Sequence, residues 1–418
     1  MPQVHHATVR DGDVLVLVGT MKGAFVFRAN AARKKWDVGG PYFPGHAVYA
    51  LAYDGRAGRR RLWASTTSMH WGSLVRKSDN FGRSWTEPEQ ANVKFPEDTR
   101  LSLRNIWQIR PGPAERPNTL WAGVEPASLF ESNDDGETWS LVRGLHDHPH
   151  RARWEPGGGG LCLHTILPDA GDPRRMFIAI STGGVYRTDD GGRTWAVKNK
   201  GVRAEFLPDK HPEFGQCVHK IAQHPKRPQT LYLQNHWGLY RSDDGGDSWQ
   251  DIAHNVPSDF GFPMLVHPHD PDVAYIVPLE SDMFRATPQG KLRVYRTRNG
   301  GKSWEALTNG LPQKEAYECV LRDGLGADAL DPAGIYFGTR NGKLYGSPDG
   351  GASWTRLADG LPPVVCVKTA VVGAARKPAR KSSSKVKPKA AVKRARPAKS
   401  KPKAARVRKA ARRPAKKK

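Results

Sequence analysis

The octapeptide SDDGGDSW, ending at Trp249, has five close relatives in the same chain. They are SDNFGRSW ending at Trp85, SNDDGETW at Trp139, TDDGGRTW at Trp195, TRNGGKSW at Trp304 and SPDGGASW at Trp354. Successive tryptophans stand 54, 56, 54, 55 and 50 residues apart, and a degenerate seventh copy ends at Trp36, 49 residues before Trp85. A self-similar period of this size marks an array whose units cannot bury their apolar faces alone and must pack on their neighbours. Seven units are expected.

Each unit reads as four short strands. In the fifth, QCVHKIAQHP, TLYLQNHW, GLYRSDD and SWQDIAHNV alternate apolar and polar residues and carry β-branched and aromatic side chains, with Gly, Pro, Asn and Asp between them. No sustained helical period occurs, so the ordered region is expected to be all-β, a seven-bladed β-propeller over residues 1–373. Two strand signals, DVLVLVGT and GAFVFR, precede Trp36, and one unmatched strand, VVCVKTAVV (364–372), follows Trp354. Pairing that strand with the N-terminal ones completes a blade and removes an open sheet edge.

The repeated octapeptide sits at the turn joining the third and fourth strands. Its acid or amide (Asn80, Asp134, Asp190, Asp244, Asn299, Asp349) is expected to accept backbone N–H bonds, its glycines to supply positive φ, and its tryptophan to bury in the outer strand against its own or the next blade. The pattern S/T-x-D/N-x-G-x-S/T-W resembles the Asp box, or BNR repeat, of sialidase-like propellers, sortilin-type receptors, xyloglucan-degrading hydrolases and a photosystem assembly factor. That resemblance implies a WD40/YVTN/BNR-like propeller with structural turn motifs. It implies no single activity, because the family holds enzymes and non-enzymes.

The formal charge of +25 is unevenly placed. Residues 374–418 hold 21 Lys or Arg and no acid, leaving the rest with 45 basic and 41 acidic side chains. That tail of Lys, Arg, Ala, Pro and Ser has nothing to bury and is expected to be disordered. It resembles the C-terminal tails of linker histones in composition and is expected to bind nucleic acid through phosphates without sequence preference. The start MPQVHHATVRDGD lacks a secretory pattern, no apolar run is long enough for a bilayer, and the four cysteines make no disulfide framework. A cytoplasmic chain with reduced thiols is expected.

In a propeller the loops between second and third strands gather on one face with the starts of the inner strands. Here those loops are SMHWGS, GVEPAS, ISTGG, QNHWG, PLESDMFR and GTRNG. Aligning LSLRNIW, LCLHTIL and QCVHKIA puts Arg104, His164 and His219 at one inner-strand position, with Tyr49, Phe262 and Lys368 as counterparts and Glu318 or Arg322 from AYECVLRD. With His236, Arg340, Trp71, Trp107 and Trp237 these form a candidate ligand site for a glycan or small molecule. Glu125 and Glu280 are the first candidate catalytic pair, since glycoside cleavage needs two carboxyl groups flanking the bond. The three arginines, tyrosine–glutamate pair and Arg-Ile-Pro element of sialidases are not evident. Among the histidines no compact metal-ligand spacing stands out, so no metal and no cofactor is expected, and Cys162, Cys217 and Cys366 read as small packing residues. Two function classes follow: a glycosidase-like or carbohydrate-binding propeller, and a non-catalytic scaffold for a protein partner, held on nucleic acid by its tail.

Overall fold

The protein is described here by a computed structural model covering residues 4–373. The basic tail, 374–418, lies outside the described residues, as does the expected boundary at its start.

Seven antiparallel sheets form. Blade one takes its inner strand, Val364–Val371, from the far end of the sequence and its other strands from Val14–Thr20, Gly23–Ala29 and Asp37–Tyr42. Leu17 faces Lys368 and Val14 faces Val371 in that antiparallel pairing, so the two ends of the repeat region share one ladder. Blades two to seven follow in chain order, with inner strands Leu51–Asp54, Asn105–Pro111, Leu163–Pro168, Val218–His224, Gly261–Val266 and Leu325–Ala327. Every inner strand touches the inner strand of the next blade, including that of blade seven against that of blade one. The ring is closed.

Blade two departs from the four-strand expectation. Its sheet has three strands, Leu51–Asp54, Arg61–Ser68 and Gly72–Ser78. Only the Thr86 N–H to Lys77 carbonyl bond (2.9 Å) survives of the outermost ladder, where prolines and polar residues replace the alternating pattern after Trp85.

The turn motif is a closed hydrogen-bond knot. In blade five Ser248 donates its N–H to Asp244 Oδ1 (2.9 Å) and its hydroxyl to Oδ2 (2.5 Å), Ser242 donates to Oδ1 (2.8 Å), and Gly246 N–H donates to Ser242 Oγ (2.8 Å). Ser248 thus bonds the carboxylate through both its N–H and its hydroxyl. Gly245 and Gly246 hold φ of 72° and 84°, where a Cβ is disfavoured. Asn80 and Asn299 keep the knot with one bond reversed, each Nδ2 donating to the serine hydroxyl at 2.8 and 2.9 Å.

The tryptophan that follows packs backwards onto the preceding blade. Trp249 lies in a core with Phe177, Ala179 and Val185 of blade four and Leu231, Leu233 and Tyr240 of its own blade, and its Nε1 donates to Lys198 O (2.9 Å) of blade four. Trp304 does the same to Ile252 O (2.8 Å) of blade five. Arginines tie the next step: Arg187, Arg241 and Arg296 each send Nη1 into the following blade's turn, to Gly245 O (2.8 Å), Gly300 O (3.2 Å) and Gly350 O (2.9 Å). One octapeptide therefore serves both its own hairpin and the seam between blades.

Trp249→Ala should remove about 3–5 kcal/mol of unfolding free energy in a denaturant titration, the range for emptying a buried aromatic site. Hydrogen bonds from the Thr194 backbone and hydroxyl hold Asp190 down at about 2, against its ordinary value of 3.8. A depressed folded-state pKa stabilises above the unfolded value and is lost as pH falls, so this contribution should fade between about pH 4 and pH 2. Asp190→Asn should flatten that part of the acid stability curve, measured by thermal melts across the window.

Candidate functional site

Inner strands begin on the face opposite the turn motifs, and their first side chains meet around the opening of the central channel. On blade three, Trp107 donates its Nε1–H to Glu125 Oε2 (3.0 Å) and sits against Tyr49 of blade two, with ring centres 4.8 Å apart. The Arg322 guanidinium of blade seven lies 5.2 Å from the Trp107 ring and 3.3 Å from Cys162 Sγ on blade four. That arginine reaches across the opening. Side chains from four blades thus converge on one spot, with Glu125 half-buried at its edge and Arg104 Nη1 3.9 Å from Glu125 Oε1.

A second group lies on blades five and six. His219 is buried, with Nδ1 2.5 Å from Gly261 O and Nε2 3.6 Å from Cys217 Sγ. His236 packs at a tilt against Trp237 (ring centres 4.1 Å apart), lies 5.5 Å from His219 and has Nε2 3.4 Å from Asp282 Oδ2. Arg285 stands over Phe262 at 5.5 Å. Burial holds the His219 imidazole well below its ordinary pKa, helped by the charge of Arg322, and His236 is lowered for the same first reason. Both rings are neutral near pH 7.

The other expected residues divide. His164 is fully buried with both ring nitrogens engaged, Nε2 at 2.9 Å from Val218 O and Nδ1 at 2.9 Å from Thr165 Oγ1, so it presents no free atom to the opening. Trp71 is 73% exposed at a hairpin tip. Trp237 packs on Phe206 at 5.1 Å. Arg340 is fixed by its backbone N–H to Cys319 O (2.8 Å). Glu280 is exposed, with its backbone N–H bonded to Ala286 O (2.7 Å). Of the alternatives in AYECVLRD, Arg322 joins the opening, whereas Glu318 is buried against Lys343 (2.6 Å).

Three features were not legible as a pattern. Arg285, Arg322 and Arg340 have no carboxylate within ion-pair distance among the described residues, leaving cationic charge unmatched at the opening. Around it stand the exposed apolar side chains Met69, Trp71, Phe206, Met283, Phe284 and Tyr317, all on loops of this face. One residue along the strands from His219 and Arg322, Lys220 Nζ meets Asp323 Oδ1 at 2.8 Å, and Lys368 from blade one bonds the same oxygen. Lys368 was aligned with His219, but it belongs to this floor. Burial pushes Lys220 down to about 8, while the two ammonium groups outweigh burial and hold the Asp323 carboxyl far below its usual range. Clefts of about 650 and 570 Å³ also exist at the outer rim between blades two and three and between blades five and six, open grooves in which Lys77 pairs with Glu137 and Arg241 with Asp243.

No protein-family model matches the chain. It is 25% identical to an oligoxyloglucan-reducing end-specific xyloglucanase of Emericella nidulans over 230 residues, 48% of this chain and 26% of the enzyme. The chain thus spans about a quarter of the length of that relative. Among solved structures, an ancestral GH74 enzyme superposes with a TM-score of 0.50 at 18% identity, covering 75% of this chain and 38% of the other. YCF48 from Cyanidioschyzon merolae gives 0.50 at 14% identity, covering 75% and 86%. These structural likenesses concern the propeller fold.

Asp323→Asn should leave two ammonium groups facing a neutral amide in the channel and destabilise the propeller by about 3–5 kcal/mol, the cost of orphaning a buried ion-pair partner. Lys220→Met on that background should recover part of the loss in urea unfolding.

Proposed function

We propose that the propeller is glycosidase-like and binds a carbohydrate at the channel opening, with Glu125 as the acid–base group and Glu280 as its partner carboxylate. One observation carries this reading: Glu125 is fixed by the indole N–H of Trp107 beside a cation held across the channel, on a face rimmed by exposed aromatic rings. Aromatic faces suit sugar C–H surfaces, and a carboxyl group orients or protonates the glycosidic oxygen. Similarity to a xyloglucanase supports a glucan-type ligand. In this reading the six turn motifs are Asp boxes of BNR type and remain architectural.

The unmatched arginines and the apolar side chains Met69, Met283 and Phe284 favour a second reading, a scaffold that holds an acidic peptide without turnover. Residues 374–418 would bind DNA or RNA by releasing counterions in either case, and the four unpaired cysteines fit a cytoplasmic setting.

A screen of oligosaccharides and chromogenic glycosides with the full chain should show turnover that Glu125→Gln lowers about 100-fold or more. Glycan binding without turnover, unchanged by Glu125→Gln or Glu280→Gln, would reject the enzymatic reading, and tight binding of acidic peptides alone would select the scaffold. For the tail, affinity for duplex DNA should fall steeply between about 50 and 200 mM salt and vanish when residues 374–418 are removed. Undiminished binding by the truncated chain would refute that assignment.

A further inference from the structure

Blades four and five carry the same Cys-x-His element on the inner strand, Cys162–His164 and Cys217–His219. The residue whose N–H closes the second strand onto that cysteine's carbonyl is Ser181 in blade four and His236 in blade five, both at 3.0 Å. Each inner-strand histidine also reaches a backbone carbonyl of the next blade, but through different nitrogens. His164 uses Nε2 toward Val218 O and closes Nδ1 on Thr165, whereas His219 uses Nδ1 toward Gly261 O. The ring is therefore turned in blade five. His219 Nε2 faces the Cys217 sulfur at 3.6 Å, and one donor atom from each of Cys217, His219 and His236 lies within 4.8 Å of the others.

We propose that Cys217, His219 and His236 bind one soft divalent cation of the Zn²⁺ class, with its remaining coordination position open toward the channel mouth. All three ligands stand at one end of a strand pair, where Val218 pairs with Asn235: His219 lies in the inner strand, and Cys217 and His236 directly flank the paired residues. The outer contacts suit metal ligands. The Gly261 carbonyl takes the Nδ1–H of His219 and fixes the tautomer that leaves Nε2 with a lone pair, and the Asp282 carboxylate stands 3.4 Å from His236 Nε2. Binding exchanges the Cys217 S–H proton, released to water, for the S–metal bond.

The guanidinium groups of Arg285, over Phe262, and Arg322, at Cys162, carry charge that repels a dication. Sulfur with two imidazoles selects a soft or borderline metal over Mg²⁺ or Ca²⁺. The lysines and arginines of the tail add no thiol or imidazole.

Untagged full-length protein, stripped with chelator under reducing conditions, should take up one Co²⁺ per chain with a thiolate-to-cobalt charge-transfer band, displaced by Zn²⁺. Cys217→Ser should abolish the band. His236→Ala, at a partly buried side chain, should weaken Co²⁺ binding about tenfold or more, and Asp282→Asn by about tenfold. The blade-four control Cys162→Ser should keep the band. Absence of the band in folded wild-type protein, its survival in Cys217→Ser, or its loss in folded Cys162→Ser would each overturn the site. This test reads spectra and stoichiometry, so it is independent of whether any glycan is bound or cleaved.

Discussion

Closure of the ring through the antiparallel pairing of Val364–Val371 with Val14–Thr20 is the constraint on which the molecule depends. A single four-stranded blade has two apolar faces and two open edges, and neither can be left in water. Stacking the blades face to face buries the first, as the seven inter-blade cores show, and joining first blade to last leaves no blade with an unburied face. The same ladder sets Lys368 opposite Leu17 and delivers its ammonium group into the channel, where it meets Asp323. Fold closure and the charged floor below the opening are thus one event.

Seam chemistry explains why one octapeptide recurs so faithfully. The knot around Asp244 makes a rigid hairpin; the carbonyl of Gly245 receives Arg187 from the preceding blade; Trp249 fills the cleft behind it. Each group uses an atom the others leave free. On the opposite face the loops carry no copy of this octapeptide, and there the carboxylates, arginines and exposed aromatic side chains collect.

Much of the fold was readable because its signals are local and repeated. Tryptophan spacing counted the blades, and the unmatched strand 364–372 announced the closure. Blade two lost its outer strand where Pro88 and its polar neighbours break the alternation, a departure visible in the sequence only after the structure draws attention to it. The opening was readable in outline only. Aligning inner strands located Arg104, His164 and His219 on one level, yet Arg104 projects to solvent while both histidines are buried, His164 sealed by Val218 and Thr165 and His219 turned toward Cys217. Rotamer and ring orientation are decided by what the next blade presents, and no repeat period encodes that.

From its residues alone the chain determined the class of architecture, the number of blades, the turn chemistry and the segregation of positive charge into the last 45 residues, because each of these follows from composition or from contacts within one repeat. Tertiary structure alone decided which side chains share the opening. Arg322 meets Trp107 and Cys162, and Asp323 meets Lys220 and Lys368, each pair drawn from different blades. The physical reason is geometric: in a closed ring the residues nearest the axis are neighbours whatever their order along the chain, and the energy of a buried charge or ring depends on all of them at once.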